Sequence, residues 1–193
     1  QETYLNIAGG DAVLDAVRRC WASLWSPRSI AYRTRMGYDH LAVSLAVVVQ
    51  AMLPAEVAGV MFTINPMTGA ADEFVITGSY GLGEAVVSGL VTPDTFVLSA
   101  GGQVLSRVLG AKEQQIVPTA GGTRAEPVVP DRQARYCVSE QDLQALAAMG
   151  RRVMAHYGVP QDIEWAIQAG RLYLLQTRPV TTLRAREEAL PQI

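Results

Sequence analysis

Hydrophobic and polar positions follow two rhythms along this chain. From Asp11 to Trp25 the spacing is helical, with Val13, Val17, Cys20, Trp21 and Leu24 on one stripe. Asp11 reads as the N-cap of that helix. Pro27 suits the first turn of a second helix ending near Gly37. Ser139 to Tyr157 predicts the longest helix, capped by Ser139 with Asp142 at the capping-box position. Its buried stripe is Leu143, Leu146, Ala147, Val153 and Met154, and Gly158 stops it.

Elsewhere the period is two, or the chain is apolar throughout. Val43 to Met52 reads as a buried strand by length and β-branched content, followed by a second from Gly59 to Ile64. Asn65 to Gly69 is a turn, and Glu73 to Thr77 another strand. Thr92 to Leu98 and Gln103 to Leu109 alternate as a hairpin. Gly121 to Asp131 is rich in Gly, Pro and polar residues and reads as an exposed loop.

The clearest alternation lies between Pro160 and Pro179, where two strands flank Gln168-Ala169-Gly170. Asp162, Glu164 and Ala166 share one face; Ile163, Trp165 and Ile167 take the other. In the second strand Leu172, Leu174, Gln176 and Arg178 share a face. A three-residue loop, Ala169-Gly170-Arg171, sets Gln168 opposite Leu172, Glu164 opposite Gln176 and Asp162 opposite Arg178. A two-residue loop slips the register by one and separates these pairs.

Composition narrows the class. The 193 residues are 49% hydrophobic and 18% charged, which suits one globular domain with a real core. The net charge of −2, with no basic block, gives no reason to expect nucleic acid or an anionic membrane as partner. No apolar run is long enough to span a bilayer, and no signal-peptide pattern is present. Cys20 and Cys137 lie far apart, near no ligand pattern, and read as buried thiols of a cytoplasmic protein. His40 and His156 have no nucleophile or ligand partner in sequence and read as structural. Arg28, Arg33 and Arg35 can meet anions, though residues of this kind more often form a solvated helix face, which is the reading favoured.

The hairpin carries the candidate chemistry. A carboxylate and an amide carbonyl are hard oxygen donors suited to Mg²⁺, which completes its shell with phosphates and water. An Arg one pleat away can grip a phosphate in a bidentate fork. Taken alone, the pattern favours the plainer reading, a cross-strand ion pair, Asp162–Arg178, beside a solvated face.

Resemblance bears on that choice. DIEWA followed by LYLLQTRP, with GLGEAVVSG upstream, resembles the ATP-binding domain of the phosphoenolpyruvate synthase, pyruvate phosphate dikinase and rifampin phosphotransferase family. The short Glu-to-Gln hairpin is most similar to the rifampin phosphotransferase pattern. The resemblance runs from QETYLNI to QTRPVT. It implies an α+β, ATP-grasp-like subdomain, mostly antiparallel sheet with packed helices. It implies that Glu164 and Gln176 meet Mg²⁺ and ATP phosphates, with Arg178 beside them. Thr3 matches a position that touches ATP, Gln50 a nucleotide-contacting Gln, and Glu56 a weaker candidate for ribose hydroxyls.

The same resemblance implies that residues 1–180 are a partial ATP-binding domain lacking its N-terminal subdomain. That subdomain would supply a Lys and an Arg on the phosphates. Residues 181–193 then read as a linker toward a domain carrying a phospho-accepting His and one binding the acceptor. In the family, ATP's β-phosphoryl passes through that His to the acceptor. The fragment alone is expected to be inactive.

Two motif readings fail. Gly81-Leu82-Gly83 lacks the third glycine of a dinucleotide fingerprint and the Lys-Ser/Thr of a P-loop, and reads as a turn into a short helical segment. Gly121-Gly122-Thr123 is not followed by the His of the dikinases' glycine-rich run. Two other functions stay open: a carboxylate ligase of ATP-grasp type, and a non-catalytic binding module.

Overall fold

The computed structural model describes residues 2–180. They divide into two compact units, one of residues 1–52 with 118–124, the other of residues 53–117 with those from 125 onward. The expected linker, 181–193, lies outside the described residues.

The first unit holds helices α1 (Gly10–Ala22) and α2 (Pro27–Met36), joined by a single 3₁₀ turn, Ser23–Trp25. Gly9, not Asp11, is the N-cap of α1; Asp11 lies in the first turn, where a carboxylate still complements the helix dipole. The expected stripe is only half sunk. Val13, Val17, Cys20 and Leu24 are half-buried, Trp21 is 52% exposed, and Ala16 alone is buried. In α2, Pro27 occupies the first turn, Ser26 caps it, and Gly37 ends it in the left-handed conformation. Arg33 departs from the expected solvated face, being only 4% exposed.

The segment Val43 to Met52 joins no sheet ladder among the described residues, against the strand expected there. It keeps a strand's rhythm: Val43, Leu45 and Val47 are half-buried, while Ser44, Ala46 and Val48 are exposed. A strand needs a neighbour to take its backbone groups. Here the Leu45 carbonyl instead accepts from Trp21 Nε1 at 3.2 Å.

The second unit is a six-stranded antiparallel sheet. Its strands are β1 (Val57–Phe62), β2 (Glu73–Tyr80), β3 (Asp94–Ser99) and β4 (Val104–Val108), with β7 (Gln161–Gln168) and β8 (Arg171–Pro179). The spatial order is β4-β3-β2-β1-β7-β8. Helix α3 (Glu84–Val87) follows the Gly81-Leu82-Gly83 turn. Gly81, at φ 78°, lets that turn approach residue 116, and a Cβ there would lie 2.5 Å from the Ile116 carbonyl.

A separate ribbon pairs β5 (Gln114–Thr119) with β6 (Gly122–Pro127), and α4 (Pro130–Gln133) follows. The loop expected over 121–131 is therefore a strand and a helical turn. Ala120-Gly121 serves as a hairpin turn rather than an irregular loop, and Pro130 opens a helix rather than breaking one.

Helix α5 (Glu140–Tyr157) covers one sheet face. Ser139 and Asp142 exchange both capping-box hydrogen bonds, and Gly158 ends the helix in the left-handed conformation. Leu143, Leu146, Ala147 and Val153 pack onto Met61, Phe74, Ile76, Phe96, Ile163 and Trp165. Trp165 lies across Gly59 and Gly78 of the neighbouring strands. A Cβ on Gly59 would sit 2.7 Å from its ring and 1.9 Å from the Thr77 carbonyl oxygen.

A fully buried ion pair closes the far end of this core. Lys112 Nζ donates to Asp94 Oδ1 at 2.5 Å and to the Gly110 carbonyl at 2.8 Å. Asp94 also accepts from the backbone N–H of Gly110 and of Cys137. Burial, then the Asp94 carboxylate, push the Cys137 thiol far above its usual range, so it is held as the neutral thiol.

Candidate functional site

The site is built by the β7–β8 hairpin. Its turn is Ala169-Gly170, two residues rather than three, and Gln168 pairs with Arg171. Both central residues have positive φ, 49° and 69°, the turn that matches the twist of paired strands. From the tip, Ile167 pairs with Leu172, Ala166 with Tyr173 and Trp165 with Leu174. Left alone, that register would misplace every residue beyond.

A β-bulge corrects it. The pairing jumps between Trp165 and Glu164, leaving Leu175 without a partner. Beyond the bulge Glu164 faces Gln176 and Asp162 faces Arg178, the pairs expected from sequence though not by the expected route. The same device separates residues expected on one face. Leu172 and Leu174 stand with Ile167 and Trp165, on the core side; Gln176 and Arg178 stand with Glu164 and Asp162, on the other.

Arg178 binds Asp162 with two donors, Nε and one terminal nitrogen, each 2.8 Å from Oδ2. The Asp162 side chain is 10% exposed and that of Arg178 68%, so the pair runs from the sheet to the surface. On the opposite face, Thr177 Oγ1 donates to Gln161 Oε1 at 2.9 Å, and the Gln161 N–H donates to Thr63 Oγ1 at 2.8 Å. These bonds pin the end of β8 through β7 to the residue after β1.

Glu164 is half-buried beside Val60 of β1, with Thr77 and Thr95 continuing the row. Among the described residues its carboxylate has no hydrogen-bond or ion-pair partner, and neither has the Gln176 amide. Burial, then the neighbouring Asp162 carboxylate, raise the Glu164 pKa, and Arg178 offsets part of that rise. A cation at this carboxylate would favour its charged form. No cluster of three His, Cys, Asp or Glu side chains suited to a metal occurs among the described residues. The Glu164 carboxylate and the Gln176 amide carbonyl are hard oxygen donors set opposite each other, and Mg²⁺ commonly takes one or two protein ligands of that kind beside phosphates and water.

Glu56 precedes β1, and its Oε1 accepts from the Ala169 N–H at 3.2 Å. Its backbone N–H donates to the Ile167 carbonyl, and its carbonyl accepts from Gly81. Thr3 and Gln50 are exposed and belong to the first unit, whereas Glu56, Glu164, Gln176 and Arg178 belong to the second. Asp162 was legible only as a pairing partner. The bulge had a signal too: Leu174-Leu175 breaks the alternation, and Leu174 and Gln176 have the same parity but opposite chemistry.

A hairpin with paired oxygen donors, edged by an Arg, on a helix-backed antiparallel sheet suits a nucleotide-binding domain. Over residues 1–192 the chain belongs to the family of the pyruvate phosphate dikinase AMP/ATP-binding domain. It is 52% identical over 190 residues to a probable phosphoenolpyruvate synthase of Methanothermobacter thermautotrophicus, covering 97% of this chain and 28% of that protein. It is 45% identical over 199 residues to the phosphoenolpyruvate synthase of Pyrococcus furiosus, covering 98% and 24%. It is 40% identical over 193 residues to the rifampicin phosphotransferase of Bacillus subtilis, covering 100% and 22%. The chain thus spans less than a third of these relatives. Relatives of both kinds match, and these identities do not favour the phosphotransferase over the synthases. No helix among the described residues is long and apolar enough to cross a membrane.

Proposed function

We propose that this chain is the nucleotide-binding portion of an ATP-dependent, dikinase-type phosphotransferase with an ATP-grasp-like fold. The observation that carries the reading is the pairing of Glu164 with Gln176 beside the Asp162–Arg178 ion pair, all on the sheet face opposite α5. Glu164 and Gln176 would hold Mg²⁺, and Arg178 would meet a nucleotide phosphate. Bound there, Mg²⁺ supplies charge neutralisation of the phosphate oxygens.

The chain's own residues bind and orient. Asp162 holds the guanidinium of Arg178 on the hairpin. Glu56 contacts the nucleotide only with what remains after its bond to the Ala169 N–H, and Thr3 and Gln50 are separate candidates for nucleotide contact within the first unit. The phosphoryl group passes to a His on a separate domain and on to an acceptor bound elsewhere. The relatives' names, phosphoenolpyruvate synthase and rifampicin phosphotransferase, make pyruvate and a rifamycin-like antibiotic the two acceptor classes to test. By itself the chain does not turn over, because the His and acceptor sites belong to other domains.

Calorimetric titration with ATP and excess Mg²⁺, repeated with Glu164→Ala, tests the nucleotide site. Binding that disappears in the variant while the melting temperature holds supports it. Equal binding in both proteins would remove Glu164 from the site.

A further inference from the structure

We infer that Arg33 is the receptor for an oxyanion, a carboxylate or phosphate group, which the other described residues do not supply. Arg33 sits in the last turn of α2 and is 4% exposed. The left-handed Gly37 turns the chain so that His40 returns beside it. Arg33 Nε donates to His40 Nδ1 at 3.1 Å. That bond makes Nδ1 an acceptor and places the imidazole proton on Nε2. Nε2 lies 3.4 Å from Thr34 Oγ1, which itself donates to the Ile30 carbonyl at 3.0 Å. Helix, hydroxyl, ring and guanidinium are therefore held in series.

What this series leaves open is the outer edge of the guanidinium. One terminal nitrogen is buried and has no acceptor. No carboxylate among the described residues lies within ion-pair distance of Arg33. A neutral imidazole satisfies one of five donors and contributes no charge. The Trp25 ring, 5.5 Å from the guanidinium carbon, is near the outer limit of a useful cation–π contact.

A guanidinium cannot relieve its burial by losing a proton, as a lysine can. An unpaired buried cation is strongly unfavourable, whereas one fork-bonded to an oxyanion is a common buried arrangement. Arg28 and Arg35 of the same helix are exposed and need no such partner. Trp25, whose ring lies over the guanidinium, is itself 54% exposed, so Arg33 sits close to the surface of its unit.

The test melts the intact 193-residue chain in sodium chloride, acetate or phosphate of matched ionic strength. Wild type is compared with Arg33→Met and Arg33→Lys. At ten times its dissociation constant, the bound anion should raise the wild-type melting temperature by about 4 °C over chloride. Arg33→Met should show no rise, and Arg33→Lys a smaller one, because an ammonium lacks the fork. A response to phosphate alone identifies a phosphate group as the natural occupant; a response to acetate as well identifies a carboxylate. A wild-type response no larger than that to chloride, or an equal response in Arg33→Met, overturns the inference. If Arg33→Met does not fold, the side-chain N–H resonances of Arg33 in the wild type report the same contact. Resonances unmoved by both anions would overturn it equally.

Discussion

Glu164 and Gln176 face each other only because Leu175, between Leu174 and Gln176 in β8, is left out of the strand pairing. The turn would bring Leu175 opposite Glu164 and push Gln176 to the core face. One unpaired residue moves two polar side chains from one side of the sheet to the other.

Deleting Leu175 should remove the bulge and keep the pairs, because the two-residue turn then sets Gln176 opposite Glu164 and Arg178 opposite Asp162 directly. The expected result is retained Mg-nucleotide binding in calorimetry. Lost binding would show that the bulge itself, and not only the pairing it sets, shapes the site.

The raised pKa of Glu164 fixes the sign of a pH effect. Below the unfolded-state pKa both states are protonated and burial carries no penalty. As pH rises through the folded-state value, the folded carboxylate ionises against its surroundings and stability is lost. Without metal, Glu164→Gln should match wild type in acid and exceed it near neutral pH. Denaturant midpoints at the two pH values measure this. Saturating Mg-ATP should reverse the order near neutrality, by stabilising only the wild type.

Gly59→Ala should destabilise the second unit by about 3 kcal/mol. The new methyl would meet the Thr77 carbonyl and the Trp165 ring, neither of which can yield without moving a core strand. Chemical unfolding followed by Trp fluorescence would report it. A change near zero would mean that the Trp165 packing is looser than described.

Lys112→Met should cost about 4 kcal/mol, because it strands the Asp94 carboxylate in a fully buried position. Lys112→Met combined with Asp94→Leu should recover part of that loss, the remainder reflecting the unpaired N–H groups of Gly110 and Cys137. A double-mutant cycle by urea denaturation gives the coupling directly.

Much of this architecture was legible in the order of residues. The longest helix announced itself through Ser139, Asp142, its apolar stripe and Gly158, all local signals. So did α2, between Ser26 and Gly37. The cross-strand pairs of the hairpin were legible because polar ligand types fell at matching distances from the turn. Their route was hidden because the turn and the bulge err in opposite directions and cancel. Val43 to Met52 was misjudged for a different reason. Its composition suits a strand, but strand formation depends on a neighbour, and composition carries no information about neighbours. Lys112 and Arg33 were hidden similarly: a charged residue is read as solvated until the fold brings chain over it.

Glu56 touches three places that must keep step: the Ile167 carbonyl, the Gly81 N–H and, through its side chain, the Ala169 N–H. Hairpin length and residue 56 are therefore linked choices. A sequence that lengthens the turn carries its N–H beyond reach of a glutamate at this position, and must offer another acceptor or leave the tip untied. Segments grafted between members of this family should exchange the stretch before β1 and the hairpin tip as a pair.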